Sequence, residues 1–161
     1  MRRHFILVLG FCLFGIIGCS NDKIDPGKLK KKFYTLQQVL DNLVAELRYD
    51  SAFDLKKRAC ESCGLVLNRN DFNDKIAKVF ESAGIKTVFT FHWSCVKPSP
   101  KQFDFETNWD NSLPVHLTYN SCDTTETIKG FYRKDKNLNE FWGLGNNWTI
   151  WIERKLIDAK Q

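Results

Sequence analysis

The chain has 161 residues, of which 43% are hydrophobic, 27% charged and 14% aromatic, with a formal charge of +5. That length suits one domain, and the composition supports a packed core rather than a disordered, collagen-like or minimal disulfide-knot chain. The small positive excess does not single out nucleic acid as a partner. At the start, Arg2 and Arg3 precede an uncharged apolar run of 13 residues, 5–17. This fits the h-region of a secretory signal, about 7–15 residues, and falls short of the roughly 20 needed to span a bilayer.

The run closes in Ile16-Ile17-Gly18-Cys19, which resembles the lipobox of bacterial lipoprotein precursors. The resemblance covers residues 1–20 only, and Ile16 stands where the family usually has leucine. It implies that residues 1–18 are a cleaved signal peptide and that Cys19 becomes the first residue. The Cys19 thiol would then carry a diacylglyceryl group and its amine a further acyl chain such as palmitate. A bilayer of the cell envelope is thus the first implied partner. Ser20 is not the aspartate that retains many such proteins at the inner membrane, so the implied location is the outer membrane. Loss of Arg2 and Arg3 leaves 22 basic residues against 19 acidic ones, a formal charge of +3.

Residues 19–33 read as the lipidated cysteine and a polar tether containing Asp25-Pro26-Gly27 and the cluster Lys28, Lys30, Lys31 and Lys32. Such a cluster reads as a solvated linker, with weak attraction to an anionic membrane surface as the functional alternative. Residues 34–161 read as a single globular domain. Thr35 and Gln38 have capping-box spacing, and Leu36, Val39, Leu40, Leu43, Val44 and Leu47 recur at helical period, predicting a helix over 36–49. Asn70 or Asp71 is the expected cap of a second helix, whose stripe Phe72, Ile76, Val79, Phe80 and Ala83 stops at Gly84.

Beyond Lys86 the period becomes two. Strands are expected around Phe89, Phe91 and Trp93, around Phe103 and Phe105, and over 113–119. Further strands are expected over 127–133, 140–144 and 148–154, the last two joined by Gly145-Asn146-Asn147. The predicted fold class is therefore α+β, with two N-terminal amphipathic helices packed on one face of a five- or six-stranded antiparallel sheet. No glycine-rich phosphate loop or strand–helix alternation points to a nucleotide, and no cofactor or metal motif is recognised.

Cys60, Cys63, Cys95 and Cys122 form an even set that an oxidising envelope would pair as disulfides, with three possible connectivities. Cys60-Glu61-Ser62-Cys63 also has the spacing of a thiol–disulfide oxidoreductase, and Lys56-Lys57-Arg58 would lower a thiol pKa. Symmetric hairpins about Pro98 and Asp110 would line up His92, Asp104 and His116 across three strands, beside Glu106 and Thr118. That row is compatible with a metal- or histidine-dependent hydrolase. Trp142, Trp148 and Trp151 crowd the last hairpin, and because Trp148 and Trp151 differ by an odd number they point to opposite faces; an outward one is a candidate contact for a sugar or protein. The sequence points to an envelope lipoprotein acting as a non-catalytic binding module for a protein or glycan, with immunity or inhibitor proteins as one subclass and the two enzyme readings as alternatives.

Overall fold

Asp25 and Pro26 begin the first helix: the aspartate carboxylate accepts from the Gly27 and Lys28 amides, and proline occupies the first turn, where its missing N–H costs nothing. In the computed structural model, which describes residues 24–49, 65–92, 101–122 and 124–154, α1 runs Pro26–Leu47. It starts ten residues before the expected Leu36. Thr35 does not cap it; its hydroxyl donates to the Lys31 carbonyl inside the helix. Leu29 and Phe33 are buried in the core, so residues 26–33 belong to the domain and not to a tether.

A four-residue strand, β1 (Leu65–Asn68), precedes the second helix, α2 (Asp74–Ala83). The expectation of two helices followed by strands is corrected accordingly. Asn73 caps α2, accepting from the Lys75 and Ile76 amides, while Asp71 belongs to a 3-10 turn, Arg69–Asp71. Gly84 ends the helix as expected. Its φ of +67° is left-handed, and a Cβ there would sit 2.3 Å from Asn108 Oδ1, so both conformation and space require glycine.

The remaining strands are β2 (Ile85–His92), β3 (Lys101–Thr107), β4 (Val115–Asn120), β5 (Tyr132–Lys134), β6 (Glu140–Gly145) and β7 (Trp148–Ile152). They make one antiparallel sheet of seven strands in the order β1-β2-β3-β4-β7-β6-β5. The sheet has seven strands where five or six are expected; β1, which was not expected, and β5, expected over 127–133 but confined to Tyr132–Lys134, lie at the edges and have four and three residues, too few for alternation to register in the sequence. The β6–β7 turn has Asn146 and Asn147 both at positive φ, 51° and 68°, the mirror-image turn whose twist suits a hairpin.

One face of the sheet is covered by both helices. Phe103 and Phe105 of β3, Leu117 of β4 and Trp148 of β7 meet Phe33 and Leu40 of α1 and Phe80 of α2, all at most 2% exposed. The Trp148 indole N–H donates to Asp41 Oδ1 at 2.7 Å, and the Tyr34 hydroxyl donates to the Leu144 carbonyl at 3.1 Å, tying α1 across β6 and β7. Among the described residues no helix is long and apolar enough to cross a membrane. The apolar run at residues 5–17 lies outside them.

Candidate functional site

The opposite face carries the candidate chemistry, and strand register decides what meets there. Asp104 pairs with Thr118 and Glu106 with His116, two residues away from the symmetric hairpin expected about Asp110. An even shift preserves the face, so Asp104 and His116 become diagonal neighbours, with Oδ1 and Nδ1 3.1 Å apart. On the other flank Asp104 faces Phe89, and His92 pairs with Lys101. The expected His92–Asp104 pair is thus corrected: from Thr87 to His92 the strands pair three residues out of symmetry about Pro98, so His92 and Asp104 stand three positions apart in the ladder. The hydrolase row loses its first member.

In place of a three-residue row stands a longer one. His116 stacks on Trp151, with ring centroids 4.0 Å apart and planes within 13°; Trp151 stacks on Phe141 at 5.6 Å and 17°; and the Arg133 guanidinium lies 4.5 Å over Phe141. Arg133 Nη2 ends the row 2.8 Å from Glu126 Oε1. These side chains come from β4, β7, β6 and β5, which are consecutive in the sheet, so the pairings His116–Trp151, Trp151–Phe141 and Phe141–Arg133 are each cross-strand neighbours. A carboxylate stands at each end, and the Trp151 and Phe141 rings are each covered on both faces.

This packing limits what His116 can do. Its side chain is 8% exposed, its Nε2 is buried without a hydrogen bond, and Glu153 Oε2 stands 3.8 Å away, beyond hydrogen-bond reach. Because an ionised carboxylate oxygen accepts, Nδ1 is the donor toward Asp104, and Nε2 stays buried with no hydrogen-bond partner among the described residues. Among the described residues no group of three His, Cys, Asp or Glu side chains is placed to hold a metal ion.

Beside the row the sheet opens into a cleft of about 470 Å³. Its floor is a cross-strand rectangle, Gln102 opposite Asn120 and Asp104 opposite Thr118; Trp151 and Phe141 form one side. The other wall is the segment Thr124 to Thr127, which sequence reasoning placed partly in a strand over 127–133. It is instead a 3-10 turn, Thr125–Thr127, folded back across β6 and β7. Gly143 allows the approach, since a Cβ there would lie 2.0 Å from the Ile128 carbonyl oxygen and 2.7 Å from that of Glu126. Thr149, the cross-strand partner of Gly143, donates its hydroxyl to the Glu126 carbonyl at 3.0 Å.

Among the described residues, those that line the cleft include no lysine or arginine. Both carboxylates are engaged, Asp104 with His116 and Glu126 with Arg133, while the Gln102 carboxamide and the Thr124 and Thr125 hydroxyls make no side-chain hydrogen bond to the described residues. Trp151 turns its edge to the cleft, its N–H donating to Thr118 Oγ1 at 3.2 Å. The signal that could have located this site is the pair Gly143 and Thr149, two small residues facing each other in an otherwise aromatic hairpin. Room there means that another segment packs close.

Of the other expected site residues, Trp148 is fully buried and Trp142 is 7% exposed, both on the helix-covered face, which leaves Trp151 as the tryptophan of the hairpin on the open face. Cys122, just past β4, is disulfide-bonded, and its amide donates to Asn120 Oδ1 at the cleft floor. Cys19, Cys60, Cys63 and Cys95, and with them the lipidation site and the Cys60–Cys63 motif, lie outside the described residues. Comparison with protein-family models, curated proteins and solved structures finds no match.

Proposed function

We propose that the chain is an envelope lipoprotein, anchored in the outer membrane through acylated Cys19 and stapled by disulfides among Cys60, Cys63, Cys95 and Cys122. Its domain binds a glycan segment non-catalytically in the cleft. The observation that carries the reading is the cleft itself: about 470 Å³, lined among the described residues by carboxamide, hydroxyl and carboxylate groups beside Phe141 and Trp151, with no cationic side chain among them. That volume lies within the range of small-ligand sites, about 300–1,000 Å³. Its chemistry suits a neutral polyhydroxylated ring and repels phosphate or sulfate. At the cleft a protein partner would call for an exposed aromatic anchor, and there the faces of Trp151 and Phe141 are already covered. The buried Nε2 of His116 supports binding over hydrolysis.

The test is titration of neutral envelope-glycan fragments into the protein, followed by tryptophan fluorescence and saturation-transfer NMR. Binding in the millimolar to micromolar range is expected, with the fluorescence response lost in Trp151→Phe and affinity lowered about tenfold or more in Gln102→Ala/Asn120→Ala, as loss of one or two hydrogen bonds predicts. Glycan binding unaffected by those changes would move the site elsewhere; hydrolysis of the fragments would replace the binding reading with the enzymatic one.

A further inference from the structure

Lys28, Lys30, Lys31 and Lys32 occupy the first two turns of α1, the positive end of the helix dipole, where acidic residues are favoured and lysines are not. Beyond the Asp25 cap the first turn holds no acid. Among the described residues Lys75 and Lys86 find Glu46 and Glu106, whereas none of these four finds a carboxylate. Lys30 lies 5.8 Å over the Trp142 ring and Lys32 5.1 Å over Trp109, which fixes them on the flanks; Lys28 and Lys31 are exposed. A fifth cation joins them, Lys129, 5.5 Å over the ring of Tyr34, which is itself 43% exposed. A helix beginning this way goes against its own electrostatics, and such departures from local preference mark sites where something else is served.

Only six residues, 20–25, separate Cys19 from α1. Fully extended they reach about 20 Å. We propose that the first two turns of α1, with Lys129 beside them, are a docking face for the anionic headgroups of the bilayer, so that the domain lies on the membrane in one orientation instead of swinging on its tether. The proposal rests on the lipid-anchor reading for its proximity, and its chemistry is that of a polybasic segment at a negative surface. The helices cover the sheet face opposite the cleft, so docking through α1 turns the cleft away from the bilayer.

Two measurements separate the docking face from the anchor. Mass analysis of the protein extracted from membranes reports whether Cys19 is acylated. Independently, the mature-length chain, residues 19–161 with Cys19→Ser, is sedimented with vesicles of phosphatidylethanolamine containing or lacking phosphatidylglycerol. Association with the anionic vesicles alone is expected, abolished by 0.5 M salt and lowered by about 30-fold in Lys28→Gln/Lys31→Gln. Lys134→Gln/Lys136→Gln serves as the charge-matched control, and circular dichroism checks that each variant folds. Equal binding to neutral vesicles, no binding to either kind, or an equal loss in the control pair would each overturn the docking face, whatever the state of Cys19.

Discussion

The two faces of this sheet are built from the same strands yet held together differently. Toward the helices, Phe103, Phe105, Leu117 and Trp148 are all 0% exposed and stabilise the fold through removal of apolar area from water, which asks little of their mutual orientation. Toward solvent, Asp104, His116, Trp151, Phe141, Arg133 and Glu126 form a row whose attraction depends on parallel rings and on charges at its two ends. The first arrangement tolerates a change of shape among apolar residues; the second exists only in one register. The difference teaches that the open face can carry a specific site because the covered face already holds the strands in place.

Substitutions of like size on the two faces sharpen this contrast. Phe105→Ala is expected to lower unfolding free energy by about 3–5 kcal/mol in urea titration, through lost burial and the cavity left beside Trp148. Phe141→Ala should cost far less, about 1–1.5 kcal/mol, while shifting the near-ultraviolet signal of Trp151. Equal losses at the two positions would mean that the open row is a second core. Next in size is Gly143→Ala, where the new methyl meets the Ile128 and Glu126 carbonyls. A loss of about 1–3 kcal/mol is expected, with the Thr125–Thr127 turn displaced and ligand binding weakened together; unchanged amide exchange over 124–131 would contradict the fold-back.

The smallest expected effect lies at the start of β6. Burial pushes the Glu140 carboxyl upward, but the hydrogen bond and charge of Arg154, the Tyr132 hydroxyl and Lys134 outweigh it and hold it below the usual glutamate range. A lowered folded pKa stabilises at pH above the unfolded value, about 4.3, and the contribution disappears as pH falls through the folded value. Glu140→Gln should therefore be destabilised by about 1 kcal/mol near pH 7 and approach the native protein below pH 4. A gap that widens with acid would show that the carboxyl is not held low.

Some of this was legible from residues alone. The helical stripe ending at Gly84, the Gly145-Asn146-Asn147 turn and the opposed faces of Trp148 and Trp151 are local patterns, and all three stand in the structure. The start of α1 was misread because Thr35 and Gln38 imitate a cap, whereas Asp25 and Pro26 supply one that extends the apolar stripe back to Leu29 and Phe33. β1 and β5 were missed or misplaced because four and three residues show too little periodicity. Within the candidate site both pairings rest on assumed hairpin symmetry: about Asp110 the register is out by two residues, which leaves Asp104 and His116 diagonal neighbours, whereas about Pro98 it is out by three and His92 pairs with Lys101.

By itself the sequence determined which residues could be buried, where one helix must stop, how the last hairpin turns, and that the N-terminus has the pattern of a lipidation signal. Each of these depends on neighbours a few positions apart, within reach of backbone sterics and hydrophobic period. Only the tertiary structure decided that Trp151 stacks between His116 and Phe141, that Arg133 and Glu126 close the row, and that the 124–127 segment folds back over Gly143 to make a cleft. Those contacts join residues up to tens of positions apart through strand register. A single residue of slip would leave the local pattern unchanged while carrying each side chain of the slipped strand to the other face.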